Sequence, residues 1–136
     1  MSPEPVLRGG CLCGGVRYEV DAPLGQARYC HCTRCQRRTG TAASASAVVP
    51  EGALRVVAGE ELLQGWQPPD GAEKVFCRVC GSGIYSRSQD GTLGVRLGTV
   101  DGDPGVRPAL RQYVANAAVW EPLPDDGLPR LPGPHA

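Results

Sequence analysis

Apolar and polar positions alternate through Val16-Arg17-Tyr18-Glu19-Val20, so every second side chain of this run shares one face, as in a half-buried strand. Shorter runs of the same kind follow at Ala27-Arg28-Tyr29-Cys30, Leu54-Arg55-Val56-Val57, Lys74-Val75-Phe76-Cys77, Gly83-Ile84-Tyr85 and Leu93-Gly94-Val95-Arg96-Leu97. Turn chemistry separates them: Asp21-Ala22-Pro23, Pro50-Glu51-Gly52, Pro68-Pro69-Asp70-Gly71, Asp90-Gly91 and Asp101-Gly102. Many short strands with frequent turns predict a mainly β fold of small sheets. One segment departs from this pattern. Thr33-Arg34-Cys35-Gln36-Arg37-Arg38-Thr39-Gly40 predicts a short helical turn, with Thr33 as N-cap and Gly40 as its left-handed stop. The small, polar stretch from Thr41 to Ala47 reads as a close-packed strand or loop. Residues 121–136 hold five prolines and no apolar period, which predicts an extended tail laid over the surface or frayed.

Length and composition narrow the possibilities. A chain of 136 residues fits one domain, and no linker divides it. Gly and Pro make up close to a quarter of the chain (19 and 13 residues), which excludes long uninterrupted helices. Fourteen basic residues balance fourteen acidic ones, so neither nucleic acid nor an anionic membrane is an expected partner. No run approaches the roughly 18 apolar residues of a membrane helix. Trp66 and Trp120 are read as packing residues. With so few aromatic side chains, a core of this size calls for a second source of stability.

Seven cysteines supply it. The first residues lack the basic and apolar regions of a secretory signal, so a cytoplasmic, reducing location is expected, where clustered cysteines read as metal ligands. They form three groups: Cys11-Leu12-Cys13-Gly14-Gly15, Cys30-His31-Cys32-Thr33-Arg34-Cys35 and Cys77-Arg78-Val79-Cys80-Gly81. A C-x-x-C followed by glycine lets the backbone turn back and aim its amides at sulfur, and a C-x-C before two glycines does the same from a hairpin. Two ligands from each of the flanking groups give one closed four-thiolate set, Cys11, Cys13, Cys77 and Cys80. Cys30, Cys32 and Cys35 remain as a tripod one ligand short of closure, the mark of a catalytic rather than a structural zinc. Two other partitions stay open: the tripod sharing metals with a flanking pair, or a single zinc with three free thiols. The odd count argues against a disulfide framework.

Arg34, Arg37 and Arg38 surround the tripod and can offset its negative charge or pair with carboxylates of an acidic ligand; the alternative is a solvated face. Strand alternation turns His31 away from the side that Cys30 and Cys32 share, so a packed or surface role is expected for it. His135 is expected to be solvent-exposed in the tail. No phosphate-binding glycine loop, paired carboxylates or serine-nucleophile elbow is present.

These motifs resemble the glutathione-dependent formaldehyde-activating (GFA) family, the S-(hydroxymethyl)glutathione synthase-like and centromere protein V-like zinc proteins. The resemblance rests on Gly10-Cys11-Leu12-Cys13-Gly14-Gly15-Val16-Arg17-Tyr18, on Cys30-His31-Cys32-Thr33-Arg34-Cys35-Gln36-Arg37-Arg38-Thr39-Gly40 and on Phe76-Cys77-Arg78-Val79-Cys80-Gly81-Ser82. Weaker likeness continues through Gly98-Thr99-Val100-Asp101, Trp120 and Asp126-Gly127-Leu128-Pro129, so it spans about residues 8–130. It implies a beta-tent zinc fold of small curled antiparallel sheets. It implies a structural zinc on Cys11, Cys13, Cys77 and Cys80, and a catalytic zinc on Cys30, Cys32 and Cys35. The implied activity is that of a carbon–sulfur lyase adding glutathione to a small aldehyde such as formaldehyde. On that reading a thiol enters the fourth position of the tripod as a thiolate nucleophile, and Arg34 or Arg37 binds a glutathione carboxylate. One departure stands out: Arg111-Gln112 occupies the place of a His-Ile-like pair. The competing reading is a non-catalytic zinc module that serves as a protein-interaction or structural domain.

Overall fold

A computed structural model describes residues 4–134. Ten strands and one α-helix are present among them: β1 (Leu7–Gly10), β2 (Arg17–Val20), β3 (Ala27–Cys30), α1 (Thr33–Thr39), β4 (Ser44–Val49), β5 (Leu54–Ala58), β6 (Leu63–Trp66), β7 (Glu73–Cys77), β8 (Gly83–Arg87), β9 (Leu93–Arg96) and β10 (Pro108–Gln112). The mainly β fold with one short helix is as the alternation predicts. Among the described residues no helix is long and apolar enough to cross a membrane.

The strands form two sheets. A three-stranded sheet runs β1-β2-β5, and a seven-stranded sheet runs β10-β3-β4-β9-β8-β7-β6. Each named pair is antiparallel except β3–β10, which is parallel. Three strands carry no clear alternation in the sequence: β1 contains two adjacent glycines, β6 is Leu-Gln-Gly-Trp, and β10 opens with a proline, a position where the missing N–H costs no ladder bond. Their pairing comes from tertiary context rather than local propensity.

The sheets share one core. Val16, Tyr18 and Val20 from the small sheet's hairpin meet Ala47, Val49, Val75, Ile84 and Val95 from the large sheet. Full burial of each Val or Ile side chain contributes about 1.5–3 kcal/mol. Gly9 is required here: a Cβ at that position would run into the Tyr18 hydroxyl, which is hydrogen-bonded to Thr99 Oγ1 at 2.8 Å. The stretch from Thr41 to Ala47 resolves into the start of β4. This inner strand of small side chains, Ser44, Ser46 and Ala47 all buried, lets neighbouring strands and the helix approach closely.

Two expectations are corrected. The helix is capped by Cys32, not Thr33: Cys32 has extended φ/ψ of −63° and 153°, and its sulfur accepts from the Cys35 amide, so the residue before Thr33 fills the capping role. Gly40 does end the helix in the left-handed region, at φ 69°. Trp66 and Trp120 are 59% and 64% exposed rather than packed; Trp66 lies in the outermost strand of the large sheet, and Trp120 in a turn. The tail lies over the surface and is pinned there. Arg111 N donates to Pro129 O (2.9 Å), Leu131 N to Arg111 O (2.8 Å), and Val114 N to Leu131 O (3.0 Å). His135 falls outside the described residues.

Candidate active site and metal centres

The first cysteine group is a knuckle just beyond β1. Gly14, at φ 80°, donates its amide to Cys11 O at 3.1 Å, and the Val16 amide reaches Cys11 Sγ at 3.2 Å. The third group repeats the device at the end of β7, where Gly81 N donates to Cys77 O at 2.7 Å. The two knuckles face each other. Cys11 and Cys13 Sγ lie 3.5 Å apart, Cys13 and Cys77 Sγ 3.9 Å apart, and all four sulfurs lie within 4.8 Å of one another. Zn–S bonds of about 2.3 Å in a tetrahedron require S···S separations of roughly 3.8 Å, so the donor set fits such an ion. Its protonation is uneven. Hydrogen bonds from the Ser82 hydroxyl and from the Cys13 and Ser82 amides draw Cys80 down to about 5. At Cys13 the Gly15 amide pulls the other way, but the thiols of Cys11, Cys80 and Cys77 win and push it up to about 11. Four adjacent sulfurs resist becoming four thiolates until a cation joins them.

The second group is assembled at a junction. Cys30 is the last residue of β3, Cys32 caps α1, and Cys35 sits in its first turn. The Cys35 amide donates to Cys32 Sγ at 3.3 Å, and the three sulfurs lie within 4.8 Å of one another. Among the described residues no fourth His, Cys, Asp or Glu joins this group. Hydrogen bonds from the Cys30 and Cys32 thiols and the Ser44 hydroxyl bring Cys35 down to about 2, whereas Cys32 and Cys35 push Cys30 far above the ordinary thiol range. One anion is stabilised and the next opposed, again a donor set that a metal cation completes.

His31 lies between two tripod cysteines yet faces the other way. It is buried, and its Nε2 accepts from Arg111 Nη1 at 3.2 Å, which puts the ring proton on Nδ1. Arg111 is itself buried, and the charge is compensated by Asp126 at 2.8 Å and by the Tyr29 ring, 4.4 Å from the guanidinium carbon. Arg111 therefore locks the tail to β3, while Gln112 lines the tripod cavity.

Register explains what surrounds the tripod. In the large sheet Cys30 pairs with Ser44, Arg28 with Ser46, and Ser46 with Arg96; Lys74 pairs with Ser86, and Ser86 with Gly94. Alternation places these residues on one face, opposite Ala47, Val49 and Val95 in the core. The face forms a cavity of about 290 Å³ lined by the three cysteines together with Arg28, Lys74 and Arg96. Burial lowers the pKa of Arg28 and Lys74, and the Arg96 charge adds to the effect on Lys74. Arg28 Nη1 is buried with no acceptor among the described residues, and so is Arg38 Nε.

The predicted Arg34 and Arg37 lie one cavity further out. With Trp66 they line a neighbouring space of about 300 Å³, and Arg34 forms an exposed ion pair with Asp70 at 2.7 Å. Arg38 stands at the wall of that space, its guanidinium 5.3 Å from the Phe76 ring centroid. Sequence reasoning missed Arg28, Lys74 and Arg96. The i, i+2 relation of Arg28 to Cys30 was a usable signal; Lys74 and Arg96 reach the site only through strand pairing.

Comparison with known proteins agrees with this geometry. A crystal structure of a Rhodobacter sphaeroides protein superposes with a TM-score of 0.62 at 29% identity, covering 91% of this chain and 98% of that one. The model of the glutathione-dependent formaldehyde-activating enzyme family matches residues 6–116, a span that includes all seven cysteines and both sulfur clusters. The chain belongs to the glutathione-dependent formaldehyde-activating enzyme family.

Proposed function

We propose that this chain is a zinc-dependent carbon–sulfur lyase that adds a thiol, glutathione, to a small aldehyde such as formaldehyde. The observation that carries the reading is a set of three converging cysteine sulfurs inside a cationic cavity, beside a separate set of four that is already complete. Cys11, Cys13, Cys77 and Cys80 would hold a structural Zn2+, and Cys30, Cys32 and Cys35 a second one. A zinc ion held there would supply Lewis-acid chemistry toward a thiol sulfur or a carbonyl oxygen.

The chain's own residues account for the rest. Arg28, Lys74 and Arg96 set a positive field that lowers the pKa of a thiol entering the cavity, whose ordinary value is about 8.5. The sheet on one side and α1 on the other hold two small reactants together, which converts a bimolecular encounter into a local one. In the addition the S–H bond breaks and an S–C bond forms. The carbonyl π pair moves onto oxygen, which takes up the proton, giving the S-hydroxymethyl thiol with no change of oxidation state. Arg34 and Arg37 would meet the outer part of the thiol substrate where the two cavities adjoin.

The test pairs composition with rate. Metal analysis should return two zinc ions per chain, and exchange NMR on formaldehyde with glutathione should show adduct formation accelerated by the zinc-loaded protein. Cys35→Ser should retain one zinc and lose at least about a hundredfold in rate, since positioned reactants are worth at least that much. Equal rates with and without wild type, together with X-ray absorption unchanged on adding glutathione, would establish the non-catalytic module instead.

A further inference from the structure

Seven of the fourteen basic residues form ion pairs among the described residues: Arg8, Arg17, Arg34, Arg55, Arg87, Arg107 and Arg111. Arg28, Arg37, Arg38, Lys74 and Arg96 are not among them, and these five line the tripod cavity or the spaces beside it. Among the described residues no Asp or Glu lines that cavity or the two beside it. Arg28, Arg38, Lys74 and Arg96 are half-buried, and drawing an unneutralised cation partly out of water carries a cost that an entering anion offsets. Three thiolates offset part of this charge, but a divalent ion held by them would leave the sulfur centre with a formal charge of only −1 against the three cations lining its cavity.

We propose that Arg28, Lys74 and Arg96 form an anion subsite that holds a carboxylate of the thiol substrate beside the tripod, and so select carboxylate-bearing thiols over simple ones. The inference rests on the thiol-addition reading and assigns recognition to residues deeper than Arg34 and Arg37. A small aldehyde such as formaldehyde brings no charge, so the anion belongs to the thiol. The geometry is suited to it. Arg28 and Arg96 flank Ser46 in one cross-strand row, with Arg96 Nη1 donating to Ser46 Oγ at 2.6 Å. Ser46 fixes one arm of Arg96 and leaves further N–H donors for a ligand. Lys74 lines both the tripod cavity and the space holding Arg37 and Trp66, so one extended ligand can touch both. Together the two spaces reach the scale of small-ligand sites, about 300–1,000 Å³.

S-Methylglutathione is the direct probe, because its sulfur is blocked and its carboxylates are intact; its diethyl ester removes the carboxylates. Calorimetry on the zinc-loaded protein should show the acid binding at least about tenfold more tightly than the ester, the effect of one charge-assisted hydrogen bond. Arg96→Gln and Lys74→Gln should each weaken the acid by about tenfold and leave the ester unchanged, and Arg96→Lys should recover part of the loss. Zinc content and circular dichroism certify each variant; Lys74→Gln serves alone if Arg96→Gln does not fold. Equal binding of acid and ester, no binding of the acid at millimolar concentration, or wild-type affinity in both variants overturns the subsite. Preferential binding of glyoxylate with no discrimination between acid and ester also overturns it, by moving the anion to the aldehyde. Adduct formation is followed separately, so an inactive protein with carboxylate-selective binding keeps the subsite and rejects the enzyme, and the reverse result does the opposite.

Discussion

Two cysteines with the same side chain carry different burdens. Cys77 is fully buried in the shared core, whereas Cys35 sits at the edge of a cavity. Structural zinc binding is worth on the order of 10 kcal/mol, comparable with the roughly 5–15 kcal/mol that stabilises a whole domain. Cys77→Ser should therefore unfold the protein at ambient temperature, seen as loss of the β circular-dichroism signal together with all bound metal. Cys35→Ser should stay folded. Gly40 isolates a backbone effect: a Cβ there meets nothing within 4 Å, so only its φ of 69° is at stake. Gly40→Ala should cost about 1 kcal/mol in urea denaturation with an unchanged slope.

At the scale of elements, the strap from Asp126 to Gly133 is the contact with the clearest pH signature. Arg111 and the Leu128 amide hold the Asp126 carboxylate below its ordinary 3.8. A carboxyl depressed on folding contributes stability that is fully present above 3.8 and lost as pH falls through the lower folded value. Amide-exchange protection at Leu131 and Val114, corrected for intrinsic rates, should hold from neutral pH to about 4 and fall below it. Asp126→Asn should abolish that dependence and leave the strap loose at pH 7. The sequence shows little of this. Alternation marks β2, β3, β5, β7, β8 and β9 in the sequence, and in β2 it is matched by strict alternation of buried and half-buried positions. It misses β1 and β6, whose glycines and mixed side chains carry no alternation although each pairs with the next strand, and β10, whose partner β3 lies far back along the chain. The cysteine groups were legible because ligand geometry demands close spacing and glycine turns. Arg28 offered only its i, i+2 relation to Cys30, and Lys74 and Arg96 offered nothing, because strand pairing and register bring them to the site. Trp66 and Trp120 misled in the other direction, since aromatic character alone does not say which face of an edge strand or turn a ring will take.

Across the whole molecule, a net charge of zero conceals a strong division. Among the described residues seven arginines are matched at mostly exposed ion pairs, where each pair adds little to stability, and five cations outside those pairs line the tripod cavity or the spaces beside it. The two sulfur clusters should likewise part company on metal removal. Titration with a chelator, followed by native mass spectrometry and circular dichroism, should release the ion of Cys30, Cys32 and Cys35 first with the fold intact. The ion of Cys11, Cys13, Cys77 and Cys80 should leave later, together with the β signal. Acid should reproduce the same order, because each thiolate must take up a proton before its metal departs.

The parallel union of β3 with β10 sets a timetable. β3 leaves the ribosome about eighty residues before its partner, and loop closure over that length must precede the reward of pairing. A nascent chain therefore carries Cys30, Cys32 and Cys35 while one flank of their cavity has yet to be synthesised. During that interval the three thiols lack the cover that Gln112 and Tyr113 give the finished cavity.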